Sequence, residues 1–426
     1  MTLRTGAVPV RSSPLASRIW GLCVCQGALA AGQALAFPFL SIYLVRDRGL
    51  PLSKVGAWLS LSVLVTALSQ GLGGELSDML GQRRVMVLSL GARGVTVFGM
   101  AAAIQWRWPF LALMSLHLTS SFVANFFDPA ARSWIADHTG NMERHRAYGW
   151  LRIATNLGFA AGPAAGGMLM AKSYASVFGL SAAVCMVCAL AVMWMIRDLP
   201  GAIRRTAFQS LGLLRAAADP LFLRLCIFNM IISVAMAQLV VSVSVFSTQF
   251  VGLSAAQVGL LFSLNGLLVV ILQYPATAVL AGMPLTTGVV LGCVMYAAGF
   301  TLVGFSHSFL TLAGAMVVIT FGEVLVPPAI HSIGANMAPS RARGRYIGFL
   351  GLSKQMGSAL GPLTGGLGLQ YVSSKWAPGH WLIVGLLALS AAVAFHSLSK
   401  ELSPSEQGLS EVTLEDDEIA ALPTGA

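Results

Sequence analysis

Glu323 is the residue of this sequence best placed to do chemistry. Outside the C-terminal tail the chain has nine acidic residues, and most of them belong to loops or helix ends. Glu323 instead lies about 14 residues into an apolar stretch, Ile319-Thr320-Phe321-Gly322-Glu323-Val324-Leu325-Val326-Pro327-Pro328. A charge at the centre of a membrane helix costs about 2.5–3.5 kcal/mol on insertion scales. The cost is removed if the group is neutralised by a proton or by a cation. A carboxyl that exchanges between H⁺ and substrate is the minimal machinery of proton-coupled exchange. A structural pair with Lys354 would satisfy the same cost, and the sequence leaves both open.

Two further titratable groups lie in apolar surroundings. Asp128 stands four residues before Arg132, which allows an i,i+4 ion pair or a proton relay. His117 lies twelve residues before Pro129; it either titrates and binds substrate or packs as a hydrogen-bonded core histidine. Gln26 and Gln33 share one helix face, seven residues apart, and Asn229, Gln238, Asn265, Lys354 and Gln355 interrupt other apolar runs. With Phe246, Phe262 and Phe321 they suit a mostly apolar small-molecule cavity with few polar fixings. Arg93 and Arg152 are expected to snorkel toward the membrane surface. No Walker A, H-E-x-x-H or G-x-S-x-G sequence and no metal cluster is evident, so neither ATP drive nor a metal or other cofactor is expected. Cys185 and Cys188 have a redox-like spacing without a second pair or a nearby histidine, and are expected to be packing residues like the other four cysteines.

The elements that must hold these groups are membrane helices. Hydrophobic residues make up 56% of the chain and charged residues 10%, against about 25% charged in a soluble domain. Twelve apolar segments of spanning length are expected near 19–45, 55–75, 85–105, 110–135, 149–170, 175–196, 225–250, 257–281, 286–305, 309–335, 347–369 and 380–398. The N-terminal run is expected to be the first span rather than a cleaved signal, because it is long and eleven more follow. With the N-terminus inside, sixteen Lys and Arg fall in inside segments and six in outside ones, which puts both termini in the cytoplasm; a plasma membrane, a bacterial inner membrane, is the expected location. The net charge of +10 is thus an orientation signal dispersed over loops, and no nucleic-acid partner is expected.

The chain also repeats itself. The pattern G-x-x-x-G-P-x-x-G-G occurs as Gly158, Gly162, Pro163, Gly166 and Gly167, and again 199 residues later as Gly357, Gly361, Pro362, Gly365 and Gly366. Val55-Gly56 with Ser60-Leu61 matches Val258-Gly259 with Ser263-Leu264 at an offset of 203. Two related six-helix halves are therefore expected, residues 1–196 and 225–398, joined by a basic cytoplasmic linker over 197–224 and followed by an acidic, disordered cytoplasmic tail over 399–426. In each motif three glycines one turn apart let two backbones approach closely in lipid, and the proline bends the helix.

The segment Gly73-Gly74-Glu75-Leu76-Ser77-Asp78-Met79-Leu80-Gly81-Gln82-Arg83-Arg84 resembles the loop signature of the major facilitator superfamily. Gly74, Leu76, Asp78, Gly81 and Arg83 match it, whereas Met79 and Gln82 replace expected arginines. The glycine-proline motif of the fifth span resembles that of the exporting, antiporter members, the twelve-span drug:proton antiporters. The Gly-Glu before a proline around Glu323 is similar to the tenth helix of proton-coupled multidrug exporters. The resemblance covers nearly the whole chain. It implies an all-α integral membrane protein, a functional monomer of twelve helices, that transports small molecules against protons rather than catalysing a reaction. It further implies that Asp78 latches the cytoplasmic side, with Arg132 as its partner on the fourth span; the alternative is a loop that only fixes topology. The corresponding loop of the second half, around Ala281-Gly282-Met283-Pro284, is uncharged, so the latch belongs to one half. At His117 the family often has arginine, so that arginine's role does not carry over. An importer or permease for a sugar or amino acid is the competing expectation, and a non-transporting receptor or enzyme a more remote one.

Overall fold

The computed structural model describes residues 14–139, 141–170, 173–197, 216–280, 283–339 and 343–409. Every regular element among them is helical: α1 (Pro14–Ile42), α2 (Leu52–Leu80), α3 (Gln82–Gln105), α4 (Phe110–Ala124), α5 (Phe127–His138), α6 (Asn141–Met170), α7 (Tyr174–Met195), α8 (Pro220–Met236), α9 (Val241–Gln249), α10 (Ala255–Leu280), α11 (Leu285–Gly304), α12 (Phe309–Met337), α13 (Arg343–Leu367) and α14 (Gly379–Ser399). Two π-helical turns, Tyr43–Asp47 and Gly368–Ser373, extend α1 and α13. The pair α4–α5 is one rod broken where Pro129 has no N–H to offer the carbonyl of Asn125, and Asn125 turns its own amide to Ser69 Oγ at 3.3 Å. The pair α8–α9 is likewise one rod, broken over residues 237–240. Twelve rods result. Nine of them are long and apolar enough to cross a membrane among the described residues. The other three, α2, α6 and α13, run 29, 30 and 25 residues and carry charged side chains in their sequences. The chain is a multi-pass membrane protein.

Two boundaries differ from the sequence expectation. The second half begins at Pro220 rather than 225, because Asp219 caps α8 by accepting from the N–H groups of Leu221 and Phe222, both at 3.1 Å, with proline at the first helical position. The tail is ordered over residues 400–409 rather than disordered from 399. There Gln407 accepts from Leu285 N at 2.9 Å and Thr286 Oγ1 at 2.6 Å, and its own amide donates to the carbonyls of Ser399 and Leu402 at 3.0 and 3.1 Å. Arg224 pairs with Glu401 at 2.5 Å. Most of the linker, residues 198–215, and the acidic residues beyond 409 lie outside the described residues.

Within each half the glycine motif makes the tightest helix contact. Gly158, Gly162 and Gly166 lie on α1, where an added Cβ at Gly162 would come within 2.6 Å of the carbonyl oxygen of Ala31. Gly357, Gly361 and Gly365 lie against the broken rod α8–α9, on Met230, Ser233, Ala237 and Ser242. The last glycine of each motif faces the other way and belongs to the contact between halves. Gly167 rests on Ala255 and Ala256 of α10, and Gly366 on Leu52 and Gly56 of α2.

The seam between the halves repeats the duplication. Gly56 on α2 has its Cβ position occupied by the carbonyl of Pro362, with Gly366 Cα 3.3 Å away; Gly259 on α10 meets the carbonyl of Pro163, with Gly167 Cα also at 3.3 Å. Proline forces the backbone apart and loosens the next N–H as well. Those N–H groups are recovered across the seam: Leu363 donates to Ser60 Oγ at 2.9 Å, and Ala164 donates to Ser263 Oγ at 3.0 Å. The N–H of Ser53, one of the free donors at the start of α2, is capped by Gln370 at 2.8 Å. All these contacts gather at the end of the bundle opposite the one where α1 begins and α14 ends. The halves are closed against each other at that end.

Candidate functional site

Pro327 and Pro328 determine the local structure around Glu323. Pro327 has no N–H for the carbonyl of Glu323, and Pro328 has none for that of Val324. Gln273 of α10 satisfies the second, its Nε2 donating to Val324 O at 3.2 Å. On the far side of α12, Gly322 seats against α11, where an added Cβ would meet the carbonyl oxygen of Gly292 and the Tyr296 ring, each within 2.8 Å. The carboxylate is thereby turned to α10. Asn265 donates to Glu323 Oε2 at 2.7 Å and to Thr320 Oγ1 at 3.0 Å, and Thr320 in turn donates to Met316 O at 2.7 Å. Asn265 is the one donor to Glu323 among the described residues, and Lys354 makes no ion pair with it. Lys354 instead borders a narrow cleft with Asn229 and His331.

Glu323 lines a cavity of about 430 Å³ between the halves. Its walls come from α1 (Gln33, Phe37, Pro38), α6 (Asn156, Phe159, Pro163), the break in α8–α9 (Leu239, Val240), α10 (Phe262, Asn265, Val269) and α12. It is within the range of pockets that hold drug-sized molecules, apolar with a few convergent polar groups. Of the residues the sequence suggests for a cavity, Gln33, Asn265, Phe262 and Glu323 line it.

The others are placed elsewhere. Asn229 donates to Leu350 O and Ser353 Oγ at 3.2 and 3.0 Å, and Gln238 to Gly361 O and Thr364 Oγ1 at 3.0 and 3.1 Å, so both bind α13 rather than substrate. Gln26 is half-buried, and its amide oxygen is buried without a hydrogen-bond partner. Phe246 is buried among Phe250 and Trp381, and Phe321 is exposed on the outside of α12. His117 is the packing histidine: its Nδ1 lies 2.9 Å from Ser62 Oγ and its ring against Trp58 and Phe37. Asp128 is the ion-pair partner of Arg132 at 2.8 Å, with both side chains nearly half exposed, and not part of the cavity. Arg83 donates to the carbonyl of Met193, and Gly81 joins α2 to α3 with φ of +92°, a conformation that suits glycine. The side chain of Asp78 and the position of Gly74 in the latch lie outside the described residues. Arg93, expected at the membrane surface, is instead buried at mid-helix. Asn156 is a lining residue that could have been found, since it lies seven residues before Pro163 on the motif helix.

The family model described as Major Facilitator Superfamily matches residues 22–362 and 226–415. The chain belongs to this superfamily. It is a membrane transporter and not an enzyme. Among curated relatives, "Multidrug resistance protein MdtH" of Cronobacter sakazakii is 26% identical over 339 residues, covering 79% of this chain and 82% of that protein. "Uncharacterized MFS-type transporter YttB" of Bacillus subtilis is 23% identical over 368 residues, 85% of this chain and 91% of that one. Among solved structures, the nucleoside transporter NupG superposes with a TM-score of 0.75 at 15% identity over 89% of this chain and 98% of its own. A bacterial homologue of the human lysosomal transporter Spinster, inward-facing and unoccupied, gives 0.73 at 13% identity over 91% and 97%. At these identities the structures share the fold, and the twelve helices of this chain are those of a major facilitator.

Proposed function

We propose that the protein is a proton-coupled exporter of hydrophobic or cationic small molecules, working as a monomer by alternating access in a bacterial inner membrane with both termini in the cytoplasm. The observation that carries this reading is the carboxyl of Glu323 in the wall of the central cavity, where its hydrogen-bond partner is an amide and, among the described residues, no cation stands within ion-pair distance. Such a group is neutral with a proton and can be neutralised equally by a bound cation, so the two compete for one site. The multidrug resistance relatives and the antiporter-like glycine-proline motif agree with export. Closure at the end away from the termini agrees with an inward-facing state in this orientation, in which the cavity would load from the cytoplasm. Cells that express the protein should accumulate less of an ethidium-like dye than cells without it, and a protonophore should erase the difference. Efflux that survives collapse of the proton gradient but stops on ATP depletion would refute the proposal.

We also propose that the Gly74–Arg83 segment is a latch on the cytoplasmic side, with Asp78 as its charged element. Arg132 is already engaged by Asp128, so the latch would have to share this arginine or use a helix N-terminus. In the dye assay Asp78→Asn should keep expression and slow efflux by about tenfold, the worth of one charge-assisted contact of ~1.4 kcal/mol. An unchanged rate would leave the loop as a topology signal.

A further inference from the structure

Arg93 is an unpaired cation in the membrane interior, in the middle of α3. It is only 7% exposed, and its Nε has no hydrogen-bond partner. One terminal nitrogen lies 3.4 Å from Gln33 Oε1, and its guanidinium carbon lies 6.0 Å from the centre of the Phe37 ring. Its other electrostatic neighbours are His117 on α4 and Cys185 on α7. Among the described residues no carboxylate reaches it, and the ion pairs there belong to Arg132 and Arg224. Burying a charge without a counter-charge is costly, and a 3.4 Å contact to a neutral amide returns little of the cost.

The two residues that screen Arg93, Gln33 and Phe37, are both lining residues of the cavity that holds Glu323. Gln33 turns its oxygen to Arg93, which leaves its amide N–H groups for the cavity. The α1 wall therefore presents hydrogen-bond donors backed by a buried positive charge. The α12 wall presents a carboxylate. Between them stand the apolar Phe37, Phe159, Phe262 and Val269.

We infer that Gln33 and Arg93 form an anion-recognising subsite opposite Glu323, and that the preferred substrates are amphoteric: a carboxylate or comparable anionic acceptor at one end, a cationic amine at the other, an apolar body between. This rests on the exporter reading in so far as the ligand is cargo. The anion of the substrate supplies the counter-charge that Arg93 lacks, and Phe37 and Gln33 stand at the entry to it.

Binding distinguishes the idea from a structural arginine. The probes are a rhodamine methyl ester, which is cationic, and the same rhodamine as its zwitterionic free acid, titrated by fluorescence anisotropy onto purified protein in lipid nanodiscs. The native protein should bind the free acid at least about tenfold more tightly than the ester, the value of one charge-assisted contact. Arg93→Gln should remove the preference by weakening the acid alone. Gln33→Glu places a carboxylate of the protein's own against Arg93; it should remove the preference as well and raise the melting temperature. Glu323→Gln should weaken both dyes by the same factor. Equal affinity of the native protein for acid and ester, an Arg93→Gln protein that loses both alike, or a Gln33→Glu protein that keeps the preference would each overturn the inference. Both dyes are then followed in proteoliposomes with and without a pH gradient. A free-acid preference with no gradient-driven movement removes the export reading and leaves the subsite; gradient-driven export of the ester with no such preference removes the subsite and leaves export.

Discussion

Glu323→Gln is expected to abolish proton-driven efflux of cationic compounds while the protein still folds and inserts. The amide is cheaper to bury than a carboxylate, and its oxygen still accepts from Asn265, which donates to Oε2 at 2.7 Å in the native protein. What is lost is the charge. A carboxylate in this setting carries a cost of about 2.5–3.5 kcal/mol that a bound cation can offset. Cation affinity should therefore fall by about 100-fold. Downhill movement of neutral compounds should survive, because the apolar walls of Phe37, Phe159 and Phe262 are untouched. Efflux of one cationic and one neutral dye from the same cells, with and without a protonophore, separates these effects. Lys354 provides the control. Were Glu323 a scaffold partner of Lys354, Glu323→Gln would destabilise the protein and Lys354→Met would rescue it. With no ion pair between them among the described residues, no rescue is expected.

The second large effect is expected at the seam between the halves. Gly56→Leu or Gly259→Leu puts a side chain where a proline carbonyl of the opposite half stands, with a glycine Cα only 3.3 Å away. Backbone cannot yield as a flexible side chain would. Overpacking of this kind costs about 1–3 kcal/mol, and it falls on the closed state alone, because once the halves part the glycine faces open space. A bias of that size shifts the equilibrium toward the state open at this end by about 5- to 150-fold. Transport should fall in proportion as the cycle stalls. Spin labels on cysteines at Lys54 and Lys375, exposed positions on opposite sides of the seam, should show the longer distance become dominant. Ser60→Ala with Ser263→Ala should move the same equilibrium the same way by a comparable step of about 2 kcal/mol, since each of the two hydrogen bonds across the seam is worth about 1 kcal/mol. A distance distribution unchanged by Gly56→Leu would mean that the seam does not open.

The membrane class, the two halves and Glu323 were legible because each is a statement about cost along the sequence: too few charges for a soluble surface, a repeated motif, one carboxyl in an apolar run. Where side chains point was legible only in part. Gly166 and Gly167 are adjacent, and the 100° turn of the helix sends one to α1 and the other across the seam to α10. Sequence spacing grouped the first with Gly158 and Gly162, but nothing local showed that the second meets another half of the molecule. Val55-Gly56 and Val258-Gly259 stood out as a repeat without a reason, and the reason is a partner some 300 and 100 residues away. Asn229 and Gln238 have the composition of cavity residues but spend their amides on α13, a choice that depends on helix rotation. Arg93 has a stem long enough to snorkel, yet Gln33 and Phe37 of a helix 60 residues earlier hold it inside. The Ser-Pro-acidic composition after α14 argues for disorder, and the capping by Gln407 overrides it as far as Leu409.

The account depends on one exchange at one carboxyl, a proton for a substrate cation. Purified protein in weakly buffered solution with a pH indicator tests it without any membrane gradient. Adding a saturating cationic substrate should acidify the solution in step with the amount bound, and the Glu323→Gln protein should release no protons at any substrate concentration. Binding of the cation by the native protein with no proton released, or the same release from Glu323→Gln, would contradict the exchange at Glu323.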